Sequence, residues 1–422
     1  METNLEIRSE MDNDVQRQNY PEQVLDDLRN PTFVSFIDAA RWISAAIVFL
    51  GHLRNPLFYG FDGTAAGDRT LLVNAWFFVT GFYAEAVVVF FVLSGYLVGG
   101  SAAARSHLGT FRPSDYFVDR CTRIILPYLP ALLLTAGLDW VGMHYLGDVG
   151  LYTNDQAMIR QKIASGAFSA TYRPDIFLMN LLMQQTIRVE PFGSNQPLWT
   201  ISLEFWFYIF FGVALIAREA RKRVVMFGWL ATLGALIFLL GEAFLINIGL
   251  WLVGVTVAYV SWRKVERPFV ALICFFAILI LVRAGLTSLK LDETIRTGKN
   301  YVIAIAFGWL LLSMRTARFR PLLMVAPLNA FMAKYSYSVY LIHFPLMIFL
   351  LSALFATGHF AGIATGYAPT DPIGLGVYAL VAAIVYATAW GFAQGTENQT
   401  GRLRRWVKTV LVGVPRAPGP AP

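Results

Sequence analysis

Charge is scarce in this 422-residue chain: Asp, Glu, Lys and Arg together make up 14% of it, while 56% is hydrophobic. A soluble domain carries roughly a quarter charged residues, so a soluble globule is excluded. Cysteine is nearly missing as well. Cys121 and Cys274 both lie in or beside apolar runs and suggest neither a disulfide framework nor redox chemistry. The first thirty residues, with Glu2, Glu6, Arg8, Glu10, Asp12, Asp14, Arg17 and Arg29, lack the short apolar core of a cleaved signal peptide and are expected to form a solvated cytoplasmic tail. Metal-ligand spacing is absent, so no metal is expected, and without a Gly-x-Ser-x-Gly elbow a serine-hydrolase mechanism has no support. No internal repeat, low-complexity tract or second soluble domain interrupts the chain. The net charge is +7, yet no basic domain stands apart from the apolar runs, which argues against a nucleic-acid partner.

What the chain has instead is hydrocarbon, at a mean hydropathy of +0.54. Apolar stretches of roughly 20 residues, enough to cross about 30 Å of bilayer as helix, recur along most of its length. Because each span must satisfy its own backbone polar groups, the expected fold is an all-α polytopic bundle. About ten spans are predicted, near 35–54, 80–99, 121–141, 198–217, 224–241, 244–261, 268–286, 300–314, 334–354 and 373–394.

Every second connector is short and basic: Arg105, Arg112 and Arg120; Arg218, Arg221, Lys222 and Arg223; Arg263, Lys264 and Arg267; Arg315, Arg318 and Arg320. The tail with Arg402, Arg404, Arg405 and Lys408 continues the alternation, so the positive-inside rule puts both termini in the cytoplasm. Against this, Lys290, Arg296 and Lys299 fall on the predicted outside. The organisation expected is a polar tail over 1–32, a membrane domain over 33–396 with an external loop or half-helical lid at 142–197, and a basic cytoplasmic tail over 397–422. Pro174, Pro191, Gly193 and Pro197 mark that loop as unsuited to lipid.

Charges inside spans cost about 2.5 to 3.5 kcal/mol each, so those present are candidates for function. In Asp38-Ala-Ala-Arg41-Trp-Ile-Ser-Ala-Ala-Ile-Val-Phe-Leu-Gly-His52, the last arginine and the histidine are separated by roughly 1,100° of helical rotation. They therefore share one face, about 16 Å apart along the axis. Arg41 alone could be a snorkelling anchor and His52 an interfacial group. Together they pair the side chain best suited to deprotonate a hydroxyl near neutral pH with one that can hold an anion.

Glu204 sits in Trp199-Thr-Ile-Ser202-Leu-Glu204-Phe-Trp-Phe-Tyr, a carboxylate among aromatics that either locks two helices or works in a site. His343, in Tyr-Ser-Tyr-Ser-Val-Tyr340-Leu-Ile-His343-Phe-Pro345, suits hydrogen-bonded packing as well as catalysis. Arg120 and Arg123 face one way at the start of the third span and can converge on an anion, although a basic start is also what topology demands. Ser94-Gly95 in Phe90-Phe91-Val-Leu-Ser94-Gly95-Tyr96 can equally be a close helix contact.

Taken in order across residues 38–345, these five motifs resemble the acyltransferase 3 family of membrane acyltransferases. The resemblance implies no permanently bound cofactor but an acyl-CoA donor, commonly acetyl-CoA, and O-acylation of a carbohydrate or glycolipid acceptor such as a surface or exported polysaccharide. It also implies a multi-pass protein of a bacterial inner membrane, with polysaccharide-export or modification partners. On this resemblance His52, Arg41 and Glu204 are catalytic, Arg120, Arg123, Ser94 and Gly95 contact the donor, and Asp38, Trp199, Ser202, Tyr340 and His343 shape the site.

Three features depart from the family pattern. An Asp-Gly-Leu-Arg-Gly opening is replaced by Asp38-Ala39-Ala40-Arg41-Trp42, a late Glu-Arg/Lys-Pro signature is reduced to Glu397-Asn398-Gln399, and no SGNH hydrolase-type domain is expected after the last span. Two other classes fit buried His, Arg and Glu in a helical bundle: a proton-coupled transporter, and a scaffold or sensor without catalysis.

Overall fold

The structure is a computed structural model that describes residues 20–146, 151–152, 168–260, 267–287 and 293–412. Helix accounts for 83% of it, with no strand among the described residues. The longer helices, in chain order, are α1 (Tyr20–Asp27), α2 (Pro31–Leu57), α3 (Leu71–Thr80), α4 (Tyr83–His107), α5 (Pro113–Tyr145), α6 (Pro174–Leu181), α7 (Trp199–Glu219), α8 (Arg223–Tyr259), α9 (Pro268–Thr287), α10 (Glu293–Met314), α11 (Ala326–Ala333), α12 (Ser336–Ala356), α13 (Pro372–Gly395) and α14 (Thr400–Val412).

Seven helices among the described residues are long and apolar enough to cross a membrane, fewer than the ten spans expected. Two differences account for this. The spans expected at 224–241 and 244–261 both lie in α8, counted once among the seven, which is two helices meeting at a kink where the backbone leaves the helical region at Gly241 with φ 72° and ψ −167°. Glycine, lacking Cβ, adopts that conformation without steric cost. The spans expected at 268–286 and 300–314 fall on α9 and α10, of which α9 carries a shorter apolar stretch, Pro268–Arg283. Many large apolar side chains of α8 and α9, including Phe227, Phe238, Ile273 and Leu281, are exposed, as a surface solvated by lipid requires. Residues 1–19 of the expected tail, the connector cations Arg263, Lys264 and Lys290, and much of the loop over 142–197 lie outside the described residues.

The chain divides into two compact units, one of Met1–Ala40, Val88–Tyr116 and Phe207–Ala330, the other of Arg41–Val87, Phe117–Trp206 and Phe331–Pro422. In the first unit the tightest packing lies between α4 and α8. From Gly95 to Gly100, α4 widens into a π-helical turn, and Gly95, Gly99 and Gly100 abut Trp251, Val255 and Ala258 of α8. Small residues let the two backbones approach closely. The tail expected to be solvated ends here in packed structure: Asp27 of α1 is buried, 2.6 Å from Nε of Arg315 and 2.7 Å from the Tyr96 hydroxyl. Arg315 also donates to the carbonyls of Val257 and Val260, closing the end of α8.

The second unit has α12 at its centre, buried almost continuously from Ser336 to Ile348 and packed along α13. One face of α5 carries Tyr128, Thr135 and Asp139, and each grips the segment preceding α7. Asp139 accepts from the amide (2.7 Å) and hydroxyl (2.6 Å) of Ser194, and the Asn195 amide donates to Thr135 Oγ1 and to the Leu341 carbonyl, both at 2.9 Å. The Tyr128 hydroxyl donates to the Asn180 carbonyl and accepts from Gln185. These hydrogen bonds tie an irregular segment to α5 and α12.

Candidate functional site

His52 and His343 meet inside the second unit. The Nδ1 of His52 lies 3.0 Å from Nε2 of His343, and the latter ring is fully buried between Phe49, Tyr340 and Phe344. The Nδ1 of His343 faces the backbone carbonyls of Val339 (3.1 Å) and Tyr340 (2.8 Å). A carbonyl oxygen only accepts, so that nitrogen carries the hydrogen and Nε2 of the neutral ring accepts. His52 must then donate from Nδ1, which leaves the lone pair on its Nε2.

Beside this pair opens a cavity of about 430 Å³ lined by His52, Asn55, Tyr83, Thr186, Glu190, Pro191, Gln196, Pro197, Trp199 and Phe344. It mixes aromatic faces with amide, hydroxyl and carboxylate groups, the composition of a site for a polar small molecule. The segment that forms one wall is strained and braced. Met183 (φ 56°) and Thr186 (φ 72°) both hold left-handed backbone conformations, unusual for any residue with Cβ and more so for a β-branched one. Ser202 Oγ (2.6 Å) and Trp206 Nε1 (2.8 Å), one turn apart on α7, both donate to the Met183 carbonyl. Buried Asn180 donates to the carbonyl of Glu190 and accepts from the amide of Phe192, fixing both sides of Pro191.

A second cluster lies in the same unit. Glu397, just past α13, accepts from the amide (3.2 Å) and hydroxyl (3.0 Å) of Ser338 at the start of α12, and the charges of Arg41 and Arg123 act on its carboxylate. Ser338 precedes His343 by five residues, about 7.5 Å of helix. Nearby on α5, Asp119 pairs with Lys408 (2.8 Å) and Arg404 (3.8 Å) of α14.

The residues singled out in the sequence thus fall into distinct places. His52, His343 and Trp199 share the cavity region, and Tyr340 bonds Thr200 (2.8 Å) just behind it. Ser202 serves the cavity through Met183 rather than lining it. Glu204 lies on α7, where its charge acts on Tyr340, and His343 contacts the His52 ring. The charges of Arg41 and Arg123 act on Glu397, with half-buried Arg120 one turn before Arg123 on α5. Asp38, Ser94 and Gly95 belong to the other unit. There Ser94 accepts from Trp251 Nε1 (3.1 Å) and pairs with the Tyr208 hydroxyl (3.0 Å), the close helix contact that a Ser-Gly pair can make.

Sequence reasoning missed Thr186, Glu190 and Gln196, which sit in a loop without periodicity, and Asn180 near the end of the short helix α6. It also passed over Glu397 because its neighbours depart from the family pattern. Among the described residues no group of three His, Cys, Asp or Glu is placed to hold a metal ion.

A family model described as an acyltransferase domain, that of acyltransferase 3, matches residues 34–393. An O-acetyl transferase of Shigella phage Sf6 is 28% identical over 200 residues, 45% of this chain and 48% of that protein. The chain thus spans about half the length of the curated relative it matches. No solved structure matches.

Proposed function

The chain belongs to the acyltransferase 3 family, and from that membership we propose that it is a membrane O-acyltransferase, moving an acyl group, an acetyl group in the first instance, from acyl-CoA to a hydroxyl of a carbohydrate-containing acceptor. The observation that carries this reading is the His52–His343 pair beside a cavity of mixed aromatic and polar lining, with a free lone pair assigned to His52 Nε2.

In this mechanism His52 Nε2 takes the proton of the acceptor hydroxyl as its oxygen bonds to the thioester carbonyl carbon. The carbon–sulfur bond then breaks, and the CoA sulfur leaves with that proton. General base catalysis of this kind is worth roughly 10² to 10⁴-fold. His343 holds the ring in the tautomer that leaves Nε2 basic and disperses the charge His52 acquires. The same nitrogen would be the nucleophile of an acyl-histidine route. Labelled donor supplied without acceptor leaves label on the protein only in that second route.

The donor's anionic nucleotide fits the arginine cluster of Arg41, Arg120 and Arg123, since guanidinium groups bind phosphates in bidentate fashion. Glu397 balances those charges in the absence of the donor. The basic connectors support an orientation with that cluster and both termini in the cytoplasm, ten spans, and residence in a bacterial inner membrane. The acceptor then occupies the cavity on the far side of the histidine pair, presented by a surface or exported polysaccharide.

Membranes holding the protein, supplied with labelled acetyl-CoA, test the proposal. Label should enter glycan with the native chain and not with His52→Ala at equal membrane level. Transfer persisting in His52→Ala overturns it, and passage of an unmodified sugar across sealed vesicles without acylation would favour a transporter.

A further inference from the structure

The cavity beside His52 has a charge signature that bears on its ligand. Among the described residues that line it, Glu190 is the carboxylic acid and none is Lys or Arg. Arg188, two positions earlier, is exposed and does not line it. A carboxylate in a partly enclosed site repels an anion and accepts hydrogen bonds from neutral hydroxyls or from an amino group.

Two further features mark the wall as a preformed recognition surface. The hydroxyl oxygen of Thr186 is shielded from solvent and has no hydrogen-bond partner among the described residues. It belongs to a threonine held at φ 72°, a conformation that persists only where the surroundings impose it. An unmet buried hydroxyl in a strained wall is a vacant place for a ligand's hydrogen bond. Opposite in character, Trp199 and Tyr83 present aromatic surface to the same space. A pyranose ring has an apolar face of C–H groups and a rim of hydroxyls, and it matches an aromatic platform bordered by acceptors and donors.

We propose that this cavity is a subsite for a neutral or amino-bearing pyranose and that Glu190 makes it reject sugars carrying a carboxylate. The assignment deepens the reading of His52 as the base that activates an acceptor hydroxyl. Glu190 and Thr186 bind the rim of the ring, Trp199 takes its face, and His52 meets one hydroxyl. Asn180, buried and bonded to both sides of Pro191, fixes the turn that carries Glu190.

The test uses the full-length protein in detergent without any acyl donor and two matched probes, methyl β-D-glucopyranoside and the corresponding methyl glucuronide, whose binding is read by saturation-transfer NMR. The native chain should bind the neutral probe at least tenfold more tightly than the uronide. Glu190→Gln, isosteric and at an exposed position, should reduce that ratio to below about threefold by tightening the uronide, and Glu190→Lys should invert it. Trp199→Ala, with its helical circular dichroism retained, should lose both probes. Equal binding of the two by the native chain, a preference for the uronide, an unchanged ratio in Glu190→Gln, or binding of neither overturns the subsite. Because no donor is present, the outcome is separate from that of acyl transfer: a chain that discriminates the probes but moves no acyl group keeps the subsite and loses the reaction, and the converse result does the reverse.

Discussion

His52 Nδ1 lies 3.0 Å from His343 Nε2, with the two imidazole planes inclined by only 16°, and His343 in turn is tied through Nδ1 to the carbonyls of its own helix. A chain of hydrogen bonds anchored on acceptor-only groups leaves one nitrogen, Nε2 of His52, to act as base. His343→Ala is expected to lower kcat by roughly 10²-fold, since His52 can then turn or change tautomer. His343→Gln retains an acceptor oxygen for His52 Nδ1–H and should keep more activity. Steady-state kinetics over a pH series check both; equal losses in the two variants would mean that His343 acts through packing alone.

The arginine cluster makes opposite predictions for two neighbours. Arg123→Ala should raise the KM for acyl-CoA about tenfold and leave that for acceptor nearly unchanged, because a charge-assisted guanidinium–phosphate hydrogen bond is worth about 1.5 to 3 kcal/mol. Glu397→Gln keeps a hydrogen-bond partner for Ser338 but removes the charge that balances Arg41 and Arg123. It should lower the donor KM severalfold, more so at low ionic strength. Donor titrations at two salt concentrations measure both effects.

Asp139 is a structural counterpart to these groups. Its two oxygens take the Ser194 amide and hydroxyl, in a fully buried setting. Asp139→Ala strands both donors and should cost about 2 to 4 kcal/mol. It is expected to lower the thermal midpoint in detergent and to raise the acceptor KM, through loosening of the segment that carries Gln196 and Pro197. A variant as stable as the native chain would contradict the bracing role given to α5.

At the π-helical turn, a methyl group on Gly95 would overlap the Trp251 carbonyl. Gly95→Ala should therefore destabilise the first unit by about 1 to 3 kcal/mol or prevent its assembly. Ser94→Ala, which removes only the hydroxyl shared by Tyr208 and Trp251, should cost about 1 kcal/mol. Thermal unfolding followed by circular dichroism distinguishes them, and a Gly95→Ala chain of native stability would count against the close contact.

Much of the bundle was legible from hydropathy because each span of a membrane protein satisfies its own backbone and must be apolar over a fixed length. Every expected span falls on a helix. The break at Gly241 falls where the sequence divides 224–241 from 244–261; its conformation, one glycine at positive φ between two helices, was not legible, because it leaves no gap in the apolar pattern. Arg41 and His52 were readable because eleven residues place two polar groups on one helical face.

What the sequence by itself determined is the lipid-solvated helical architecture, the family, and the identity of the charged and imidazole groups that hydrocarbon would otherwise exclude. Only the tertiary structure decided which of them act together. Ser338, His343 and Glu397 come from α12 and the end of α13, and they join Arg41, His52 and Arg123 through packing of helices far apart in the chain. The cavity wall, with Thr186 and Glu190, is irregular backbone whose shape follows from its bonds to α5 and α7. Residue spacing encodes direction along a helix; it does not encode which loop a neighbouring helix will hold in place, because that depends on side-chain hydrogen bonds formed only when the elements have met.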